Sequence, residues 1–382
     1  MTTLDRYILR SFLFNFIGLN LCFIGIFVVF DLFTNLDSLV QAGRAAGSVP
    51  KIIFLNYFYK SIPIVLLLGS ILCLGSAMVT VAMLMKNNEL VPIQAAGISA
   101  LRVVRPLIIA VMCTTALFCV IREGMLPNIQ DRIMMEPADF VENRGTPLNV
   151  SIDNETNITI QGQDSRVFRS DRRISEPEFV FPRAITRSQF RISGESAYHK
   201  PATRTRPAGY LVTGVQDRHV LQNPSIMWTS PMGQEKPILM TPRDTDFLEP
   251  NQVFVVTNVP FETLASRDAW RYASLWTLIS AARNRSLDVG DSIHAAIHSR
   301  LTQPIVDMTL LFLGLPVLLL RGERNAFKAI GLSCLILFAF LLVCQASQFA
   351  GANSGMPVLG AWLPMMIFVP LAVNQFFRLR ET

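Results

Sequence analysis

The chain has 382 residues; 51% are hydrophobic and only 16% charged, against roughly 25% charged in an average soluble domain. Its net charge of +6 forms no single basic patch, and no helix-turn-helix, zinc-finger or RNA-binding signature accompanies it, which excludes nucleic acid as a partner. The apolar residues gather in long runs instead, and that pattern excludes an ordinary soluble enzyme.

Three such runs open the chain, at Ser11–Phe33, Lys60–Met85 and Val103–Ile121. A helix rising ~1.5 Å per residue crosses a ~30 Å hydrocarbon core in about 20 residues, so each run can span a membrane. The first exceeds an ordinary signal h-region and no A-x-A-like cleavage site follows it, so span 1 is expected to stay as an anchor. Residues 1–121 are therefore read as transmembrane helices 1–3. Between the second and third lies Lys86-Asn87-Asn88-Glu89-Leu90-Val91-Pro92-Ile93-Gln94-Ala95-Ala96-Gly97-Ile98-Ser99, too short for a domain and too amphipathic for a bare turn. A short helix within residues 86–100 suits it, with Pro92 near its first turn and Gly97 as its stop, offering a surface to a cytosolic partner.

Residues 122–300 form a polar insert that changes period. Alternating runs such as Asn157-Ile158-Thr159-Ile160, Gln189-Phe190-Arg191-Ile192 and Gln252-Val253-Phe254-Val255-Val256 read as short strands separated by Gly, Pro, Asn and Asp. Eleven prolines between Pro127 and Pro260 disfavour long helices. A sandwich or jelly-roll over residues 122–265 fits best, and an exposed edge on it can accept a strand from another protein. Leu264, Trp270, Leu275, Leu278 and Ile279 suggest helical turns through 266–300, with 288–300 a short helix entering the next span. All six cysteines (Cys22, Cys73, Cys113, Cys119, Cys334, Cys344) fall in spans, none at zinc-ligand spacing, and read as small packing residues. His294 and His298 share a helix face but have no carboxylate partner, so an ordinary juxtamembrane helix is the simpler reading, with no metal.

Residues 301–382 hold the last three runs, at Leu301–Leu320, Ala329–Phe349 and Leu359–Phe377. The expected fold is thus an α-helical membrane protein of six spans with a β-jellyroll domain between helices 3 and 4. Arg6, Arg10, Lys86, Arg102, Arg105, Arg321, Arg324, Lys328, Arg378 and Arg380 flank the spans on one side. The opposite short loops carry only Arg44, Lys51 and Lys60, with none between Gly351 and Val358. The positive-inside rule then puts both termini in the cytoplasm and the insert outside. Asp307 is the most informative ionisable residue within a span, since a carboxylate deep in a bilayer costs ~2.5–3.5 kcal/mol. It is read as a substrate-cavity contact, a span–span hydrogen bond or a wet interfacial group, with Gln303, Gln345 and Gln348 as candidate partners; Asp31 reads as interfacial.

No G-x-x-x-x-G-K-[ST], G-x-S-x-G, H-E-x-x-H or Gly-rich dinucleotide turn occurs, so neither intrinsic catalysis nor a cofactor is expected. At the span 2–3 loop the chain resembles the LptF/LptG permease family of the lipopolysaccharide exporter. The matching residues are Glu89-Leu90 through Gln94-Ala95-Ala96-Gly97-Ile98-Ser99, then Arg102 and Pro106. Leu4-Asp5-Arg6-Tyr7-Ile8, Pro63 with Leu68-Gly69 and Leu74-Gly75, Arg300 with Pro304, Leu315-Pro316 and Ala361-Trp362-Leu363-Pro364 extend the likeness over the chain outside the insert. The opening leans to LptG.

The resemblance implies a permease subunit of an ABC transporter in the inner membrane of a diderm bacterium. Its partners would be a second LptF/LptG-type permease, an LptB-like ATPase dimer and an LptC-like periplasmic bridge protein. Lipopolysaccharide would enter from the outer leaflet and be pushed onto the jellyroll. Glu89, Leu90, Gln94, Ala96 and Gly97 would couple to the ATPase. The outer halves of spans 1, 2 and 5 would meet lipid chains, with Phe30, Phe33, Leu36, Arg44, Lys51, Lys60 and Asp307 as cavity candidates. Some members carry lysines at the outer end of span 1; Phe33–Gln41 has none, leaving phosphate contacts to Arg44, Lys51, Lys60 or the partner permease. A lipoprotein-releasing or other envelope-lipid ABC subunit is the alternative, but such subunits normally have four spans with the insert after the first. A membrane receptor would need a cytosolic signalling domain, and only residues 378–382 follow the last span.

The charge asymmetry makes the orientation testable. In a cysteine-free variant, a single cysteine at Gln163 should react with an impermeant thiol reagent on intact cells and one at Arg324 should not. The reverse pattern would invert the topology.

Overall fold

The computed structural model describes residues 2–135, 145–182, 190–204, 206–215, 217–229, 233, 235–266, 269–288, 290–320 and 326–381. Arg321, Arg324 and Gln189 lie outside the described residues. Helices α1 (Thr3–Ala45), α2 (Val49–Lys86), α3 (Leu90–Ala95), α4 (Ala100–Val120) and α5 (Leu126–Ile133) come first. Helices α6 (Arg218–Gln222), α7 (Phe261–Ala265) and α8 (Leu275–Arg283) belong to the insert, followed by α9 (Gly290–Leu320), α10 (Ala326–Asn353) and α11 (Pro357–Glu381). Six of the described helical segments are long and apolar enough to cross a membrane.

The helices outrun the apolar runs, because hydropathy marks the bilayer whereas termination chemistry marks the helix. α2 begins at Val49 rather than Lys60: Ser48 is extended and Pro50 sits in the first turn, where its missing N–H costs nothing. α1 passes a kink at Asn35, whose φ of −112° and ψ of 16° are not helical, and continues to Ala45. The third helix does not stop at Ile121, where the insert was expected to begin. It passes through a π-helical turn at Ile121–Met125 into α5, next to Pro127, which cannot donate a backbone hydrogen bond and disturbs the α ladder. Residues 290–320 form one helix, with no separate segment before the span.

The chain divides into a helical unit (1–43, 48–133, 291–382) and a β unit (44–47, 134–290). In the helical unit, Ile8 and Phe12 of α1 pack into one core with Ala77 and Val81 of α2, Val103 and Leu107 of α4, and Leu311 of α9. α10 and α11 approach backbone to backbone: a Cβ on Gly351 would strike Gly360, and Ser347 Oγ donates to the Gly360 carbonyl at 2.8 Å. Small residues replace the missing hydrophobic drive between helices in lipid by allowing close packing.

The β unit has twelve strands among the described residues. They are β1 (Thr146–Pro147), β2 (Ser151–Ile152), β3 (Thr159–Gln161), β4 (Arg166–Phe168), β5 (Arg173–Ser175), β6 (Glu178–Phe181), β7 (Phe190–Ser193), β8 (Ser196–Lys200), β9 (Gly209–Thr213), β10 (Ile226–Thr229), β11 (Glu235–Met240) and β12 (Val253–Val256). One antiparallel sheet runs β1-β4-β5-β8-β9-β12-β11-β10 and the other β2-β3-β6-β7. Up to β9 the chain changes sheet after every hairpin, the winding of a jelly-roll. The predicted runs near 157–160, 189–192 and 252–256 fall on β3, β7 and β12.

Tyr210 ties the two sheets together. Its fully buried ring lies 5.9 Å from Phe179 of the smaller sheet, and its hydroxyl donates to the Val259 carbonyl at 3.1 Å. Asp153 is also buried; it accepts the backbone N–H of Glu155 at 2.9 Å and the Thr257 hydroxyl at 2.6 Å, tying the β2–β3 turn to the end of β12.

His199 on β8 stands 5.2 Å from the Tyr210 ring. Burial holds its imidazole below the usual histidine range, against an opposing pull from Glu262 and with a further push from Arg172. As pH falls below ~6.5 the unfolded chain takes up a proton that the folded β unit refuses, so stability present at neutral pH is lost on acidification. Protease resistance of the β unit in solubilised protein should therefore fall between about pH 7.5 and about pH 5.5. His199→Phe should flatten that dependence; an unchanged profile would show that another group sets it.

Candidate functional site

Two capping motifs build the segment between α2 and α4. α2 ends with Asn88 in the left-handed region (φ 56°), while Asn88 N donates to Met85 O at 3.1 Å and Glu89 N to Leu84 O at 2.9 Å. This is a Schellman cap, with asparagine in the place usually held by glycine. The same pattern closes α3: Gly97 has φ 76° and Ile98 N donates to Ile93 O at 3.3 Å. Pro92 therefore falls in the first turn of α3, where no intrahelical N–H is required.

The two caps decide which side chains turn outward. Leu90 is buried in the helical core, with Ile93 and Ile98 packed against it. Val91, Pro92, Ala95, Ala96 and Gly97 are exposed, and Glu89 is half-buried at the edge of this small apolar face. The Gln94 side chain lies outside the described residues. Tyr7 of α1 donates its hydroxyl to the Glu89 carboxylate, at 2.9 Å from Oε2 and 3.2 Å from Oε1, and Asn87 Nδ2 adds a contact at 3.3 Å. Tyr7 and Glu89 belong to separate sequence motifs, and no local signal joins residues so far apart in the chain.

An apolar groove of about 830 Å³ runs between α1, α2 and the π-helical turn. Leu21, Ile24 and Val28 line it from α1, Ile53, Phe54, Phe58 and Leu66 from α2, and Ile121 and Met125 from the turn. Tyr57, also on its wall, donates its hydroxyl to Asp31 at 3.0 Å, and Lys60 Nζ lies 3.9 Å from the same carboxylate. Asp31 thus joins α1 to α2. Most of the groove's α2 wall precedes or just follows Lys60, where the apolar run starts; the Ser48-Val49-Pro50 helix start was the signal that these residues are helical.

Of the cavity candidates, Lys60 stands beside this groove through Asp31 and Tyr57, and none of the others lines it. Phe30 and Phe33 stand on α1 with 72% and 78% of their surface exposed, and Leu36 with 42%. Arg44, in the last turn of α1, and Lys51, in the first turn of α2, are exposed. Asp307 is elsewhere. It is buried in the helical core, where Oδ2 accepts the Thr115 hydroxyl at 3.0 Å and Oδ1 accepts Gln303 Nε2 at 3.1 Å. Gln303 also donates to Ser70 Oγ at 2.9 Å, so the cluster clamps α2, α4 and α9 together. Asp307 makes a span–span hydrogen bond through Thr115 of α4, with Gln303 of its own helix as second donor, and does not line the groove. Near the same helices, Arg122 and Arg300 both approach Glu123, at 3.5 and 3.7 Å. Trp362 Nε1 donates to His298 at 3.4 Å, and no metal-ligand cluster exists among the described residues.

Six membrane-length helices with a β unit between the third and fourth define a multi-pass membrane protein with an inserted β domain. The chain belongs to the LptF/LptG family: the model of the lipopolysaccharide export system permease LptF/LptG matches residues 6–380, essentially its whole length. That description covers LptF and LptG together, and its members are transporter subunits rather than enzymes. No curated protein matches the chain.

The Asp307 clamp is open to direct test. Asp307→Leu strands the Thr115 hydroxyl and one Gln303 bond, and should cost about 1–3 kcal/mol. Asp307→Asn keeps an acceptor and should cost less. Thermal unfolding in detergent reads both, and equal midpoints for parent and Leu variant would show that the cluster bears no structural weight.

Proposed function

We propose that this chain is one of two paired permease subunits of an ABC-type lipopolysaccharide exporter. It sits in the inner membrane with both termini cytoplasmic and residues 122–300 in the periplasm. A second LptF/LptG-type permease completes the cavity, an LptB-like ATPase dimer binds beneath, and an LptC-like protein receives the lipid. The chain itself hydrolyses no ATP.

One observation carries this reading: α2 has an apolar groove along its first half and an acidic residue, Glu89, in the turn just past its end. From Leu66 to Lys86 a helix rises about 30 Å, so the two features sit at opposite faces of a bilayer. That is what energy transfer requires when ATP is consumed on one side and cargo leaves on the other. The apolar groove suits acyl chains, and Lys60 with its Asp31 partner stands beside it for a charged headgroup. The exposed apolar faces of α1 and α10, with Phe14, Leu21, Phe338 and Phe349 among them, suit the partner permease or lipid. The β unit ends in short edge strands β1, β10, β2 and β7, and such edges can pair with the bridge protein.

Glu89 is the coupling contact. In a desolvated ion pair, removing one charge costs ~2–5 kcal/mol because the other is left buried. A solvated carboxylate in an exposed pair contributes only ~0–1 kcal/mol. Glu89→Lys should therefore insert normally yet lose most ATPase-subunit binding and lipid export, as read by co-purification and by lipopolysaccharide reaching the outer membrane. Export at the parental rate would refute the assignment. Photo-crosslinkers at Phe30, Phe33 and Leu36 should capture lipopolysaccharide in cells; adducts confined to cytoplasmic loops would place the cargo path elsewhere.

A further inference from the structure

The proposed coupling turn includes a residue outside the span 2–3 loop. We propose that Tyr7 is a positioning residue of the ATPase-docking surface, holding the Glu89 carboxylate in the orientation that receives a basic side chain from the partner. The inference rests on Glu89 being the coupling contact.

The geometry has three parts. First, the Tyr7 hydroxyl bridges both Glu89 oxygens, at 2.9 and 3.2 Å, while Asn87 approaches Oε1 at 3.3 Å. An ionised carboxylate has about four acceptor positions. Two neutral donors occupy part of that capacity, leave the negative charge in place and leave room for a bidentate guanidinium. Second, Tyr7 is itself 49% exposed, and Val91, Pro92 and Ala95 of the helix that follows Glu89 are exposed too, so the carboxylate it holds lies beside surface open to a partner. Third, the start of α1 does not depend on this hydroxyl. Ile8 and Phe12 are fully buried in the core that also holds Leu84, Leu90 and Val103, and they fix α1 beside the turn.

Without the bridge, Glu89 is a long side chain on the three-residue connection between α2 and α3 and must be ordered when the ATPase binds. Fixing one such side chain in advance removes an entropy cost equivalent to about threefold to tenfold in affinity. The same contact lets the partner sense α1, because any movement of the first span relative to α2 changes the carboxylate it grips.

The test is a double-mutant cycle on the assembled complex, measuring ATPase-subunit affinity in detergent for the full chain co-expressed with its partner permease. Tyr7→Phe keeps the ring and packing and should weaken binding about threefold to tenfold with an unchanged unfolding midpoint. In a Glu89→Gln background, itself weakened, Tyr7→Phe should have almost no further effect. If Glu89→Gln weakens binding but Tyr7→Phe does not, the positioning role fails and the coupling assignment stands. If Tyr7→Phe weakens binding equally in both backgrounds, Tyr7 acts through general packing and the proposal is wrong. If Glu89→Gln leaves binding unchanged, the coupling assignment itself is wrong and the Tyr7 role falls with it.

Discussion

Inside a bilayer no water is present to satisfy a bare backbone N–H or C=O, and each unsatisfied group costs several kcal/mol. This requirement turns the apolar runs into helices and makes the places where those helices stop chemically demanding. Pro63, Pro106, Pro304, Pro316, Pro364 and Pro370 all lie inside helices, which membrane spans tolerate where neighbouring helices and local adjustment can re-satisfy the freed groups. The ends near Asn88 and Gly97 use two consecutive Schellman caps. Because those caps fix the direction of the chain, they also fix Glu89 at the edge of the short helix and turn Leu90 inward. The proposed docking segment is in this sense a by-product of helix termination.

Lateral order within the helical unit comes from a few polar contacts set in an apolar background. Asp307 with Thr115 and Gln303, and Asp31 with Tyr57 and Lys60, each join different helices. Hydrocarbon gives apolar faces no preferred partner, so such contacts choose which helices sit together. The two differ in consequence. Asp307 is sealed among neutral donors and serves packing, whereas Asp31 lies beside the groove and shares its hydroxyl partner Tyr57 with the groove wall.

The β unit follows water-phase rules. Its strands bury Ile160, Phe179, Phe181, Tyr210 and Phe254 between two sheets, and the six cysteines all lie outside it. Stability there comes from hydrophobic burial and from satisfied buried polar groups such as Asp153.

Six spans, an inserted β domain and a capped segment with Pro92 in its first turn and Gly97 at its end were legible from the sequence, because hydropathy, strand alternation and capping residues are local signals. The likeness to LptF/LptG was legible too, carried by short motifs in a fixed order. Helix ends were less so: hydropathy does not register the helix from Val49 to Lys60 or the one beyond Ile121, since both lie where side chains are mixed and only backbone bonding continues. The pairing of Tyr7 with Glu89, the clamp that draws Asp307 to Thr115, and the groove shared by α1, α2 and the π-helical turn were decided by the tertiary structure alone. Each depends on which helix faces of similar apolar composition meet, and that is set by packing among distant segments rather than by any one of them.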